Sequence, residues 1–343
     1  MKITVGLDVG GAHLKVALIE PSRAWEVRQI ACPLWQGLDT LDAALAKARP
    51  LIDRAEQAAV TMTGELSDLF PDRQTGVATL VARLSRELGD GARFWMGRRG
   101  FGAAEEAKQH PGDVGSTNFL ATGALIGRHL DEALLIDFGS TTADIIPVIG
   151  GMPAPRGFTD AERQITGELV YTGFTRTAVM GVASRAPWSG TWVSLAREYL
   201  ATMADVRRIL GEDLTDIDQH ATADGKGKSV AESVTRLARM LGRDAADGDA
   251  SDWHRVAEWL REAQLQSLIE GAFQVLSARP LSNDGPVVVA GIGARDAALV
   301  AHRLGRHSIA FGELAGASGE AARAATQAAP AVAVALLIAA QQG

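Results

Sequence analysis

The chain has 343 residues, 47% of them hydrophobic, enough for two domains with ample core at roughly 150 residues per domain. With 34 Lys plus Arg against 41 Asp plus Glu, the net charge of −7 and the lack of a basic run argue against nucleic-acid or anionic-membrane binding through bulk charge. Cys32 is the only cysteine, which excludes intrachain disulfides, cysteine zinc sites and cysteine-ligated iron–sulfur clusters and fits a reducing cytoplasm.

Met1-Lys2-Ile3-Thr4-Val5 runs straight into a strand pattern without the layout of a signal peptide, so export is not expected. Lys2 to Val9 and His13 to Glu20 read as strands joined by Gly10-Gly11, and a third, Trp25 to Leu34, follows the Pro21-Ser22 turn signal. Thr40 to Ala59 is helical in period, Ala59 to Thr63 reads as a short buried strand, and Asp72 to Leu88 as another helix. The opening is thus a three-stranded meander followed by αβα. Further on, Ser194 to Leu210 and Ala231 to Leu241 read as helical, Asp244 to Asp252 as a surface loop, and Trp253 to Ala278 as one long helix. A turn at 282–286 leads into the strand Val287-Val288-Val289-Ala290, the turn Gly291-Ile292-Gly293 and a helix from Arg295 to Leu304. Ala328 to Ala340 is almost wholly apolar but falls short of the roughly 20 residues a bilayer crossing needs, so a buried C-terminal helix is expected.

Leu7-Asp8-Val9-Gly10-Gly11 reappears as Ile136-Asp137-Phe138-Gly139-Ser140, at a constant offset of 129 residues. Each copy is an apolar strand ending in Asp, a glycine turn with small residues, and a second apolar strand, Val16 to Ile19 or Ile145 to Ile149. The expectation is an α/β protein of two related halves facing a cleft, the boundary near Asp131. One half comprises residues 1–130 with a returning segment 325–343, the other 131–324.

Glycine turns bring backbone N–H groups to one point, where an anion can approach them. One Gly-Gly hairpin alone reads as a tight turn. Three such loops, Gly10-Gly11-Ala12, Gly139-Ser140-Thr141-Thr142 and Gly291 to Gly293, suffice to surround a di- or triphosphate. Asp8 and Asp137 end the two strands, either as turn caps or as a pair converging beside the phosphates on Mg²⁺ held mostly through water. Lys15 and Asp144 occupy equivalent positions; Lys15 serves either a phosphate or solvent. Thr61-Met62-Thr63-Gly64-Glu65 is a substrate-facing loop or a helix cap, and the 222–228 run, with Asp224 and Lys226, a mobile loop or a charged lid. Metalloprotease, α/β-hydrolase and P-loop signatures do not occur. Cys32 reads as a small buried residue.

Asp8-Val9-Gly10-Gly11, Asp137-Phe138-Gly139-Ser140-Thr141-Thr142 with Asp144, and Gly291-Ile292-Gly293 resemble the two phosphate motifs and the adenosine motif of the actin, Hsp70 and sugar kinase superfamily. Over nearly the whole chain, 6–12, 61–66, 136–147, 167–173, 202–206 and 222–225 resemble the hydantoinase/oxoprolinase-like proteins linked to tetrahydromethanopterin one-carbon transfer. Where that family has Gly-Gly-Ala-Asn-Thr-Lys, this chain has Gly10-Gly11-Ala12-His13-Leu14-Lys15. The resemblance implies duplicated actin-like domains and formation of the ether of methanofuran or methylofuran. An aminomethylfuran-methyl diphosphate would be the electrophile, the phenol of a tyramine or tyrosine derivative the nucleophile, and pyrophosphate the leaving group. Glu65 and Glu168 are then candidate bases, with Thr63, Gly64, Asn118, Asp144, Tyr171, Thr172, Asp224 and Lys226 as substrate contacts. The alternatives are ATP-dependent phosphoryl transfer or hydrolysis in the same loops, with Glu65 or Asp68 activating a hydroxyl, and a nucleotide-gated scaffold. The expected partners are these small molecules alone; homo-oligomerisation is left open.

Overall fold

In a computed structural model, the structure describes residues 2–21, 25–279 and 281–341. Ser22 of the expected turn, Met1 and residues 342–343 lie outside them. β1 (Thr4–Val9), β2 (His13–Ile19) and β3 (Glu26–Ala31) form the expected antiparallel meander, and β4 (Gln57–Met62), β5 (Arg93–Trp95) and β6 (Phe101–Gly102) complete a sheet of order β3-β2-β1-β4-β5-β6. β1 and β4 pair in parallel through the helix Asp39–Ile52, the usual crossover for parallel neighbours. Every residue of β1 is buried, because both faces of this central strand are covered.

The second sheet repeats this plan. β7 (Glu132–Phe138), β8 (Ala143–Ile149) and β10 (Leu169–Val170) are antiparallel neighbours, and β13 (Val287–Ala290) and β14 (Ser308–Ala310) add parallel strands on the far side of β7. β9 (Met152–Pro153) extends the β8 hairpin. The order β10-β8-β7-β13-β14 matches β3-β2-β1-β4-β5 strand for strand and direction for direction. The turns are closed alike: Gly10 N donates to His13 O and Gly139 N to Thr142 O, each at 2.9 Å. This is the duplicated actin-like architecture.

The helices Asn118–Gly127 and Ala329–Ala339 lie in one apolar core that draws on both sheets, from Ala17, Ile19 and Ala59 to Leu135, Ile146 and Val288. Ala329–Ala339 is apolar all round and buried, as an interior helix must be. A Cβ at Gly6 would overlap the Ala331 carbonyl oxygen, so β1 and this helix touch backbone to backbone. Among the described residues no single helix is long and apolar enough to cross a membrane.

Two expected helices differ. The first stops at Ile52, just past Pro50, and β4 starts at Gln57. Of Ser194 to Leu210 only Met203–Ile209 is helical, its start fixed by a Thr202/Asp205 capping box, and Ser194 instead closes the hairpin β11 (Arg185–Trp188) and β12 (Thr191–Ser194).

Candidate active site

A cleft of about 560 Å³ opens between the sheets where β1 and β7 end in their glycine turns. The duplication aligns its chemistry through strand register: Asp8 stands opposite Lys15 across β1 and β2, and Asp137 opposite Asp144 across β7 and β8. All four line the cleft with Gly10, Gly11, Ala12, Gly139, Ser140, Thr141 and Thr142. Thr63, Asn118 and Tyr171 also line it.

Lys15 Nζ donates to Asp8 Oδ2 at 3.3 Å. Burial works against the ammonium, but Asp8, Asp137 and Asp144 outweigh it and raise its pKa, so Lys15 is a charged hub held among three carboxylates. Burial pushes Asp137 up to about 7 against the pull of Lys15, with Asp144 and Asp8 adding to the rise. Asp144 pairs with Arg163, which also reaches Asp160 at 3.0 Å. Asp8 Oδ1 and the Thr61 hydroxyl beside it in register are buried without a hydrogen-bond partner.

Glu65 sits behind the cleft wall, 1% exposed, and accepts from the Ser116 hydroxyl at 2.6 Å through Oε1, while Oε2 has no partner. Burial raises its pKa to about 7, with Ser116 opposing. Ser116 itself lines the cleft and has φ +54, a left-handed conformation rare outside glycine and concentrated at functional sites. Gly64 packs too closely on Leu34 and the Val9 carbonyl to admit a Cβ, which seats the Glu65 turn against the end of β1.

Several expected site residues are not brought to the cleft. Glu168 is buried and does not line it: its carboxylate accepts from Arg156 N at 2.6 Å, Gly157 N at 2.8 Å and the Thr166 hydroxyl at 2.8 Å. Three of its roughly four acceptor sites are thus occupied, tying the carboxylate to the 156–166 segment. The Thr172 hydroxyl accepts from Gln264 inside the protein. Asp224 binds Arg236 and its own loop, and Lys226 is exposed on that loop. Gly291 and Gly293 pack under the second turn; a Cβ on Gly293 would meet the Phe138 and Phe174 rings, and Gly291, at φ +81, abuts the Phe138 carbonyl. Gly293 N donates to Phe138 O at 2.8 Å, which ties this turn to the end of β7.

His13, noted only as the departure from the family's Asn, also lines the cleft, and other cleft residues were not singled out from the sequence: Trp35, Ser116, Asp160, Arg163 and Arg176. His13 and His220 meet edge to face at 4.7 Å, and Trp35 lies 5.5 Å from His220. Burial holds His13 down to about 3, so it is a neutral packing ring. Cys32 is buried, its thiol pushed up to about 11. The signal for Arg163 and Arg176 was their place beside the matched 167–173 segment, though Asp144, Thr141 and Trp35, which they meet, lie 19 residues or more away in sequence.

A model of the hydantoinase/oxoprolinase family matches residues 56–329. The (4-{4-[2-(gamma-L-glutamylamino)ethyl]phenoxymethyl}furan-2-yl)methanamine synthase of Methanocaldococcus jannaschii is 31% identical over 298 residues, covering 85% of this chain and 87% of the relative. The protein of the same name from Methanococcus vannielii is 28% identical over 170 residues, 49% of this chain and 74% of the relative. Among solved structures, a ROK family glucokinase from Streptomyces griseus, in complex with glucose and AMPPNP, covers 99% of this chain and 100% of its own at TM-score 0.49 and 14% identity.

Proposed function

The chain belongs to the hydantoinase/oxoprolinase family, and from that premise we propose that it is a transferase of methanofuran- or methylofuran-type cofactor biosynthesis. It joins an aminomethylfuran-methyl diphosphate to the phenol of a tyramine or tyrosine derivative, such as a γ-glutamyl amide, and releases pyrophosphate. The observation that carries this reading is the relative named for that ether product, matched over 85% of this chain. The duplicated turns support it, because a cradle for a diphosphate serves a leaving group as well as it serves a nucleotide.

The phenol oxygen forms a bond to the furylmethyl carbon as the carbon–oxygen bond to the diphosphate breaks. That electron pair leaves on pyrophosphate, and the phenolic proton goes to a base. Positive charge at the methylene is delocalised into the furan, so the protein's tasks are positioning, charge stabilisation and proton removal. Backbone N–H groups of Gly10 to Ala12 and Gly139 to Thr142, with the Ser140 and Thr141 hydroxyls, receive the diphosphate. Glu65 is the proton sink, reached through the Ser116 hydroxyl. Thr63, Asn118 and Tyr171 bound the space for the two organic groups.

The residues present fit a divalent cation. Asp8 Oδ1 is buried without a partner, and the cleft carries five acids, Asp8, Asp68, Asp137, Asp144 and Asp160, against three cations. Asp8 and Asp137 would hold Mg²⁺ together with water and phosphate oxygens. Bound there, it would neutralise diphosphate charge.

The test is to incubate protein and Mg²⁺ separately with ATP and with the furylmethyl diphosphate plus tyramine. Ether and pyrophosphate formed without ATP are expected; ADP formation without ether refutes the proposal.

A further inference from the structure

The cleft has to hold a multiply charged anion although its own charge is acidic. Lys15 is committed to Asp8 and surrounded by Asp137 and Asp144, and Arg163 to Asp144 and Asp160. Arg176 is different: among the described residues it has no carboxylate partner. Its Nη1 donates to the Thr141 hydroxyl at 3.1 Å, and its guanidinium lies over the Trp35 ring at 4.8 Å from the centroid.

Both tethers lead to phosphate turns. The backbone N–H of Arg176 donates to Ser140 O at 3.0 Å, fixing it to the second turn. Trp35 follows Leu34, whose N–H donates to Gly11 O at 3.0 Å in the first turn. The guanidinium therefore bridges the two turns. A planar group with five N–H donors, one of them spent on Thr141, presents the rest as a fork suited to phosphate oxygens. Trp35 beneath it and Thr141 at its Nη1 restrain the guanidinium, so less side-chain freedom is lost on binding.

Resting on the proposed function, we propose that Arg176 grips the diphosphate, and that its N–H groups meet the charge that gathers on the departing oxygen when the carbon–oxygen bond breaks. Trp35 is a positioning residue that acts through it.

The probe is inorganic pyrophosphate, titrated calorimetrically into the full chain with Mg²⁺, for the wild type, Arg176→Gln, Arg176→Lys and Trp35→Ala, with melting temperatures in parallel. Arg176→Gln should bind roughly 10- to 100-fold more weakly at an unchanged melting temperature. Arg176→Lys, which keeps the charge without the fork, should recover part of the affinity and also covers the case in which the glutamine variant fails to fold. Trp35→Ala should weaken binding less than Arg176→Gln does. Wild-type protein that binds pyrophosphate through Arg176 yet forms no ether supports the grip and refutes the reaction. Ether formation by wild type, with Arg176→Gln binding pyrophosphate as tightly as wild type does, overturns the grip and leaves the reaction standing.

Discussion

Asp137→Asn should stabilise the ligand-free protein by an amount that grows with pH. Burial moves this carboxyl from its ordinary 3.8 up to about 7, so between those values the folded state holds a proton that the unfolded state has lost. The sign follows: where the native state binds more protons, stability falls as pH rises. The penalty is near zero below pH 4, about 2 kcal/mol at pH 5 and about 4 kcal/mol once the pH passes 7. Asparagine has nearly the shape of the protonated acid and never ionises. Its advantage over wild type should therefore be about 3 kcal/mol larger at pH 8.5 than at pH 5, roughly 4 °C in melting temperature for a chain of this size. Comparing the variant with wild type at each pH cancels the titration of Glu65, which shares that range. Scanning calorimetry of both proteins at the two pH values is the assay. A melting difference that does not change with pH, or that favours wild type more at high pH, refutes the burial argument. The same variant should lose Mg²⁺-dependent turnover, the stability cost of the acid being tied to its use.

Other perturbations separate function from structure. Burial raises Glu65 to about 7 and it must be ionised to take a proton, so kcat/KM should rise with pH through about 7 and then level. Asp137 shares that range, so the test is the plateau: Glu65→Gln should lower the rate there at least 100-fold, and a plateau within a few-fold of wild type would exclude Glu65 as the sink. Glu168→Ala leaves two backbone N–H groups without their acceptor and the Thr166 hydroxyl with only its 3.2 Å bond to Arg163 O, and should cost roughly 3 kcal/mol in denaturant unfolding while kcat of the folded fraction holds. Loss of kcat at unchanged stability would return Glu168 to the chemistry. Gly6→Ala should destabilise by roughly 1–3 kcal/mol, because its Cβ meets the Ala331 carbonyl oxygen; an unchanged melting temperature would contradict the close strand-to-helix contact.

What could be read from the sequence was local or repeated. Asp8 and Asp137 were legible because strand, acid and glycine turn recur in order, and the sheets repeat that order in pairing and register. The long helix was legible from Trp253 to Ala278 by its length and period, but its first turn, Ala250 to Asp252, read as surface loop because the polar residues there are its Asp249/Asp252 capping box. The apparent helix after Ser194 was not what it seemed: composition does not show that the Thr202 cap fixes the start at Met203, or that Trp188 and Val193 belong to a hairpin. Site residues were missed or misplaced where the deciding contact is distant. Trp35 and Arg176 meet only when both turns face the cleft. Glu168 lies in a matched glycine-flanked segment, but only the folded backbone reveals that its oxygens are occupied. Ser116 carried no motif; its left-handed φ is a property of the fold.

The central claim is that the bond made is to carbon, with the diphosphate leaving. The direct measurement is mass spectrometry of the products formed from a tyramine-type phenol labelled with ¹⁸O in its hydroxyl and from furylmethyl diphosphate. The account predicts an ether that retains the label and an equal amount of unlabelled pyrophosphate. Label recovered in a phosphorylated phenol would mean attack at phosphorus, which would contradict the account.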